Sequence, residues 1–289
     1  MKVGVVGATG VLGRALVPLL VQQGHALRAL ARSVQKAYTL FPRDVEIMEC
    51  DLLSPDLEER LPSLLKGCDA VVHIATAIPR DFTAPGALDA TARLRTEGTE
   101  RLLKASLEVG AERYIQQSIT LAYPDHGGDW ITEDIPLDSS PDRASICGPV
   151  IAMETMVREM RPDKLECCIL RGGRFVGKGT FQERAIENLR ARQERVPCDG
   201  SSFLSPIHVE DMASSIAAAL IKAPPGSTFN IVDEPIRQGE YLDRLAALVG
   251  APKPRRDPNL ACPPSQRCSN QAAKEALGWK PTHGIFPEK

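Results

Sequence analysis

Three glycines at fixed spacing, in Gly7-Ala8-Thr9-Gly10-Val11-Leu12-Gly13, stand between the apolar run Val3-Gly4-Val5-Val6 and a helix-forming stretch over 14–23. The apolar run reads as a buried parallel strand. The glycines let the backbone turn sharply and approach a pyrophosphate with no Cβ in the way, and the free N–H groups of the helix start face the phosphates. The bland alternative is a Gly-rich surface turn. The position between strand and helix is the context the phosphate-binding reading requires.

A chain of 289 residues can form two domains. Its net charge of −2 and 4% aromatic content argue against a nucleic-acid partner, which needs a basic face and stacking surfaces. The eight cysteines (Cys50, Cys68, Cys147, Cys167, Cys168, Cys198, Cys262, Cys268) contain no C-x-x-C pair, and most lie in apolar runs. They read as small buried hydrophobes in a reducing cytosol, not as a disulfide frame or a metal site. No apolar run reaches the roughly 18 residues of a membrane span. A strand begins almost at the N-terminus, with no room for a signal peptide. The expectation is a cytoplasmic protein with no membrane partner and no metal.

Apolar strand-like runs at 3–6, 26–31, 45–49, 70–74, 114–117 and 165–170 alternate with helix-like stretches at 11–23, 88–109 and 145–160. This alternation predicts an α/β fold, a Rossmann-type doubly wound parallel sheet with helices on both faces. After residue 171 glycines and charges mix, with helices at 181–193 and 241–249, another ending at 222, and a strand at 229–232. The reading is a dinucleotide-binding domain over 1–171 that takes back about 205–233. A smaller, discontinuous C-terminal substrate lobe covers 172–204 and 234–289.

The end of the second strand selects the cofactor. An NAD binder places an acidic residue there for the ribose 2′-OH. This chain has no Asp or Glu between Lys2 and Asp44; Arg28, Arg32 and Ser33 stand there instead, and Arg14 follows the third glycine. A guanidinium suits a 2′-phosphate through paired charge-assisted hydrogen bonds, so NADP(H) is expected over NAD(H), with Arg32 as the main contact. Arg28, in mid-strand, reads equally as a solvated charge.

The chain resembles the extended short-chain dehydrogenase/reductase superfamily, in its NAD(P)-dependent epimerase/dehydratase branch. The resemblance rests on the glycine loop, Asp51-Leu52, His73-Ile74-Ala75-Thr76-Ala77, Gly98-Thr99-Glu100-Arg101-Leu102-Leu103, Leu170-Arg171-Gly172-Gly173-Arg174-Phe175-Val176-Gly177, His208-Val209-Glu210-Asp211-Met212-Ala213 and Ala276-Leu277-Gly278-Trp279-Lys280-Pro281. It spans nearly the whole chain. It implies a cofactor site of Gly7, Thr9, Gly10, Val11, Leu12, Gly13, Arg14, Arg32, Ser33, Asp51, Leu52, Ala75, Thr76 and Ala77, a small-molecule substrate, and pairing as a homodimer as in many relatives.

The resemblance does not carry the chemistry across. Members use a Tyr-x-x-x-Lys pair on the helix after the fifth strand, where the lysine lowers the tyrosine pKa. Here Ile146 and Val150 fall at those positions, and no lysine lies between Lys104 and Lys164. The asparagine of the fourth helix is missing too, with Arg95-Thr96 in its neighbourhood. Ser118, which reads equally as a strand-ending residue, and Tyr123 are the candidate catalytic residues; Arg80 and Arg174 are the candidate substrate contacts. The expected function is an NADP(H)-binding oxidoreductase or epimerase/dehydratase-like protein working without the usual dyad. The alternatives are a non-catalytic redox sensor and a non-redox lyase or cyclase retaining the cofactor. Polar groups converging near the nicotinamide favour an enzyme; an apolar lining favours a sensor.

Overall fold

The computed structural model describes residues 1–79 and 84–287. Among them β1 (Lys2–Val6), β2 (Ala26–Ala31), β3 (Glu46–Glu49), β4 (Ala70–His73), β5 (Arg113–Ile119), β6 (Glu166–Gly172) and β7 (Ser227–Ile231) form one sheet in the order β7-β6-β5-β4-β1-β2-β3. The pairs β1–β2, β2–β3, β1–β4 and β4–β5 are parallel. Strand order reverses at β1, with β2 on one side and β4 on the other. In open parallel sheets that reversal opens a crevice at the C-terminal strand ends, where ligands bind.

The helices are α1 (Val11–Gln22), α2 (Val34–Leu40), α3 (Leu57–Leu65), α4 (Asp89–Arg95), α5 (Glu97–Glu108), α6 (Ala144–Arg158), α7 (Phe181–Arg190), α8 (Val209–Lys222), α9 (Gln238–Leu248) and α10 (Gln271–Leu277). Strand side chains alternate between faces. Val6, Leu30, Val71, Tyr114 and Ile169 pack with Leu57, Leu61 and Leu65 of α3, Leu102 of α5 and Val157 of α6. The alternate residues Val5, Ala29, Val72 and Ile115 are equally buried. On their side α1 packs on β2, and Arg113 of β5 donates to the Ala219 carbonyl of α8 at 2.9 Å. Burial on both faces explains why these strands read as continuous apolar runs.

Several boundaries depart from expectation. The predicted helix over 88–109 breaks at Thr96, whose backbone leaves the helical angles (ψ −79°) while its hydroxyl donates to the Ala92 carbonyl at 3.0 Å. α2 and α3 lie outside the predicted helices; α2 buries only Ala37, so it carries no apolar stripe to read. The chain divides into a first unit (Met1–Ser118, Asp138–Leu170, Ala213–Thr228) and a second (Ile119–Leu137, Arg171–Met212, Phe229–Lys289). The loop after β5 thus belongs to the second unit, and the returning segment is shorter than 205–233.

Two of the eight cysteines are not the free, buried thiols expected of them. Cys198 and Cys262, both in the second unit, form a disulfide with Cα atoms 5.5 Å apart. The other six are free and buried. Parallel pairing of Arg195–Pro197 with Arg255–Asp257 brings the two loops together, a juxtaposition that cysteine spacing does not reveal. Among the described residues no helix is long and apolar enough to cross a membrane.

Candidate functional site

In the first unit, the turn from β1 into α1 explains each glycine separately. Gly7 has φ +95°, and a Cβ there would sit 2.6 Å from the Ala75 nitrogen. The left-handed angle and the close pass of the β4 end both demand glycine. A Cβ on Gly13 would collide with the Ala8 carbonyl, so Gly13 lets the helix lie against the turn. Gly10 differs. Its angles are ordinary (φ −72°, ψ 177°), and the nearest atom to a Cβ there is the Gly7 carbonyl oxygen at 3.2 Å. Gly10 is exposed, no side chain caps α1, and the helix has no acidic residue in its first turn. The first helical hydrogen bond runs from the Arg14 N–H to the Gly10 carbonyl at 3.0 Å, leaving the preceding amides available at the positive end of the helix. The geometry fits a pyrophosphate: two glycines serve the protein, and the third leaves space for a ligand.

The cofactor candidates beyond the loop hold different positions. Arg32 follows β2, is exposed, and makes no hydrogen bond or ion pair among the described residues. The Ser33 hydroxyl caps α2, accepting from the Lys36 N–H at 3.2 Å. Arg28 is 7% exposed and pairs with Glu46 at 2.9 Å while donating to the carbonyls of Leu64 and Lys66; it is part of the framework. Asp51 accepts from the Leu53 N–H, and Leu52 is buried against Gly98. After β4, Thr91 ties down the next turn: its hydroxyl donates to the Ala77 carbonyl at 2.6 Å and stands 3.1 Å from the Ala77 N–H. Thr76 is exposed between partly buried Ala75 and Ala77.

At the end of β4, His73 is buried with Nδ1 3.1 Å from Gln116 Oε1, which also accepts from the Tyr114 hydroxyl at 3.0 Å. Its Nε2 is buried without a partner. Burial lowers the imidazole pKa to about 4, so His73 is a neutral framework residue.

Ser118 lies at 1% exposure, and its hydroxyl donates to Glu154 Oε1 of α6 at 2.6 Å. Glu154 is fully buried and holds Arg158 at 2.7 Å. Ser118 thus fastens β5 to α6. Glu154, missed in the sequence reading, lies four residues beyond Val150; its only visible signal is an acidic residue on the buried face of an amphipathic helix. Val150 itself is fully buried, and Ile146 lies one turn earlier.

The remaining candidates belong to the second unit. Tyr123 is fully buried and donates to Asn230 Oδ1 at 2.9 Å, while Arg171 donates to the phenol oxygen and stacks over the ring. Burial pushes the phenol above its ordinary range, with Arg171 opposing. A phenol so enclosed holds the unit together, and the expected proton-donor role finds no open path. Arg174 is exposed beside a groove lined by Phe181, Gln182 and Tyr241. Arg80 lies outside the described residues. The structure therefore places Ser118 and the glycine loop in one unit, and Tyr123 and Arg174 in the other.

A parallel sheet reversing at β1, with this glycine turn at its C-terminal edge, defines a dinucleotide-binding α/β protein. The sequence model of the NAD dependent epimerase/dehydratase family matches residues 3–232, and the chain belongs to that family. A 3-diazoavenalumate denitrifying reductase from a Streptomyces species is 32% identical, covering 98% of this chain and 97% of its own. A ceramide reductase from Caulobacter vibrioides is 28% identical over 88% of this chain and 72% of its own. Among solved structures, a dTDP-glucose 4,6-dehydratase from Streptomyces venezuelae with NAD and TYD bound superposes with a TM-score of 0.83 at 18% identity, over 99% of this chain and 93% of that one.

Proposed function

We propose that this protein is an NADP(H)-dependent reductase of a small molecule whose reduction takes no proton from a Tyr/Lys pair. One observation carries the reading: Ser118, the candidate hydroxyl at the end of β5, is committed to the buried Glu154 carboxylate, beside Ile146 and Val150, which stand on α6 where the resemblance puts the dyad. A bound nicotinamide dinucleotide supplies a hydride and the protein positions it. The α1 N-terminus and Gly10 bind the pyrophosphate, and Arg32 takes the 2′-phosphate. Neither Ile146 nor Val150 can exchange a proton, so the acceptor must be electrophilic without one.

The 32% identical relative, a denitrifying reductase named for a diazo compound, supports an acceptor of that class. Reduction of a diazonium carbon is balanced without a protein proton: a C–H bond forms from the hydride, the C–N bond breaks, and dinitrogen leaves. The test is consumption of NADPH by the purified protein, offered 3-diazoavenalumate and, separately, simple ketones. The expected result is NADPH oxidation with release of dinitrogen and none with ketones. Ketone reduction at a comparable rate contradicts the reading.

A further inference from the structure

Arg95 is the least explained charge in the first unit. It is 9% exposed, yet it makes no hydrogen bond or ion pair among the described residues. The other buried arginines, Arg28 and Arg171, and the half-buried Arg113 are partnered. Arg28 has Glu46 and two carbonyls; Arg113 has Glu166 at 2.8 Å and the Ala219 carbonyl; Arg171 has Tyr123 and the Glu133 carbonyl. The Arg95 nitrogens are not among the fully enclosed polar atoms of the described residues, so the fork, buried along most of its length, keeps a small contact with solvent. The unmet chemistry of such a group is five N–H donors and a positive charge.

Its surroundings define what it can take. Arg95 is the last residue of α4, which packs on α6. It lies within electrostatic reach of His73, at the C-terminal end of β4, and of Cys147 on α6. Both are neutral: burial lowers the His73 pKa to about 4 and raises that of the Cys147 thiol. No carboxylate of the described residues answers the charge. Arg143, the neighbouring cation, already holds Asp138 at 3.0 Å. Nearby on α6 stand Ile146, Cys147 and Val150, a medium in which an ion pair is strong. The place is the carboxyl edge of the sheet, where parallel α/β folds receive ligands.

We propose that Arg95 is the residue that recognises the substrate, its planar fork taking a carboxylate by two parallel hydrogen bonds. This deepens the reductase reading and rests on it: the acceptor is an acidic small molecule, with its carboxylate on Arg95 and its reducible group toward the nicotinamide. Because burial has already removed most of the water around Arg95, most of the desolvation left to be met on binding is the ligand's.

The test uses the NADPH-loaded full chain and calorimetric titration with cinnamate and with cinnamamide, which keeps the shape and removes the charge. The expected preference for cinnamate is roughly tenfold or more. Arg95→Met abolishes that preference, leaves NADPH affinity unchanged, and raises the melting temperature because an unpaired buried cation is gone. Arg95→Lys keeps the charge and part of the preference. Equal affinity for acid and amide, no binding of either, or an Arg95→Met protein that melts lower while still preferring cinnamate overturns the proposal. So does loss of NADPH affinity in Arg95→Met, which assigns Arg95 to the cofactor. If Arg95-dependent cinnamate binding holds but diazo reduction fails, the carboxylate site stands and the reductase reading falls.

Discussion

The Ser118 hydroxyl donates a 2.6 Å hydrogen bond to the fully buried Glu154 carboxylate, joining the end of the fifth strand to the sixth helix. Removing one partner of a buried charged hydrogen bond leaves the other desolvated. Ser118→Ala should therefore lower folding stability by about 1.5–3 kcal/mol. NADPH oxidation per folded molecule should change little. Denaturant unfolding paired with the NADPH assay checks both; a large activity loss at unchanged stability would make Ser118 catalytic.

Gly10 and Gly13 should separate ligand binding from folding. Gly13→Ala drives a Cβ into the Ala8 carbonyl, and overpacking of this kind costs about 1–3 kcal/mol or more. Gly10→Ala meets only the Gly7 carbonyl at 3.2 Å and should melt close to the parent while binding dinucleotide more weakly. Thermal melts beside a dinucleotide titration distinguish the two.

Arg32→Glu should weaken NADPH binding by roughly tenfold or more, the equivalent of losing one charge-assisted pair. NADH binding should be spared, because NADH lacks the 2′-phosphate. Equal NADPH dissociation constants for parent and variant would remove Arg32 from the site.

His73 should make the fold acid-sensitive. Burial holds its folded pKa near 4 against an ordinary 6.5, so below pH 6.5 the unfolded chain binds a proton that the native state refuses. The stabilising contribution, about 3 kcal/mol, is complete above pH 6.5 and is lost as pH falls through about 4. Unfolding free energy measured from pH 7 to pH 4 should fall less steeply in His73→Gln than in the parent.

What could be read from the sequence divides along physical lines. Gly7 and Gly13 announce themselves because their constraints are local: a left-handed angle and a helix pressed on a turn. The parallel strands show as apolar runs because both faces are covered. Ser118 is visible only as a polar strand end, since its partner is 36 residues away. Arg28 reads equally as surface or site until Glu46 appears beside it. The Cys198–Cys262 pair spans 64 residues and depends on loops brought together by pairing across the second unit. Arg95 marks itself in sequence merely as the neighbourhood of a missing asparagine; its burial without a partner emerges only from packing.

The most direct test of hydride delivery without a proton relay is a pair of isotope effects on NADPH oxidation by the diazo acceptor. Deuterium on the transferred position of NADPH should slow the reaction while D2O solvent leaves it unchanged. A rate that falls severalfold in D2O would show a proton in flight and contradict the account.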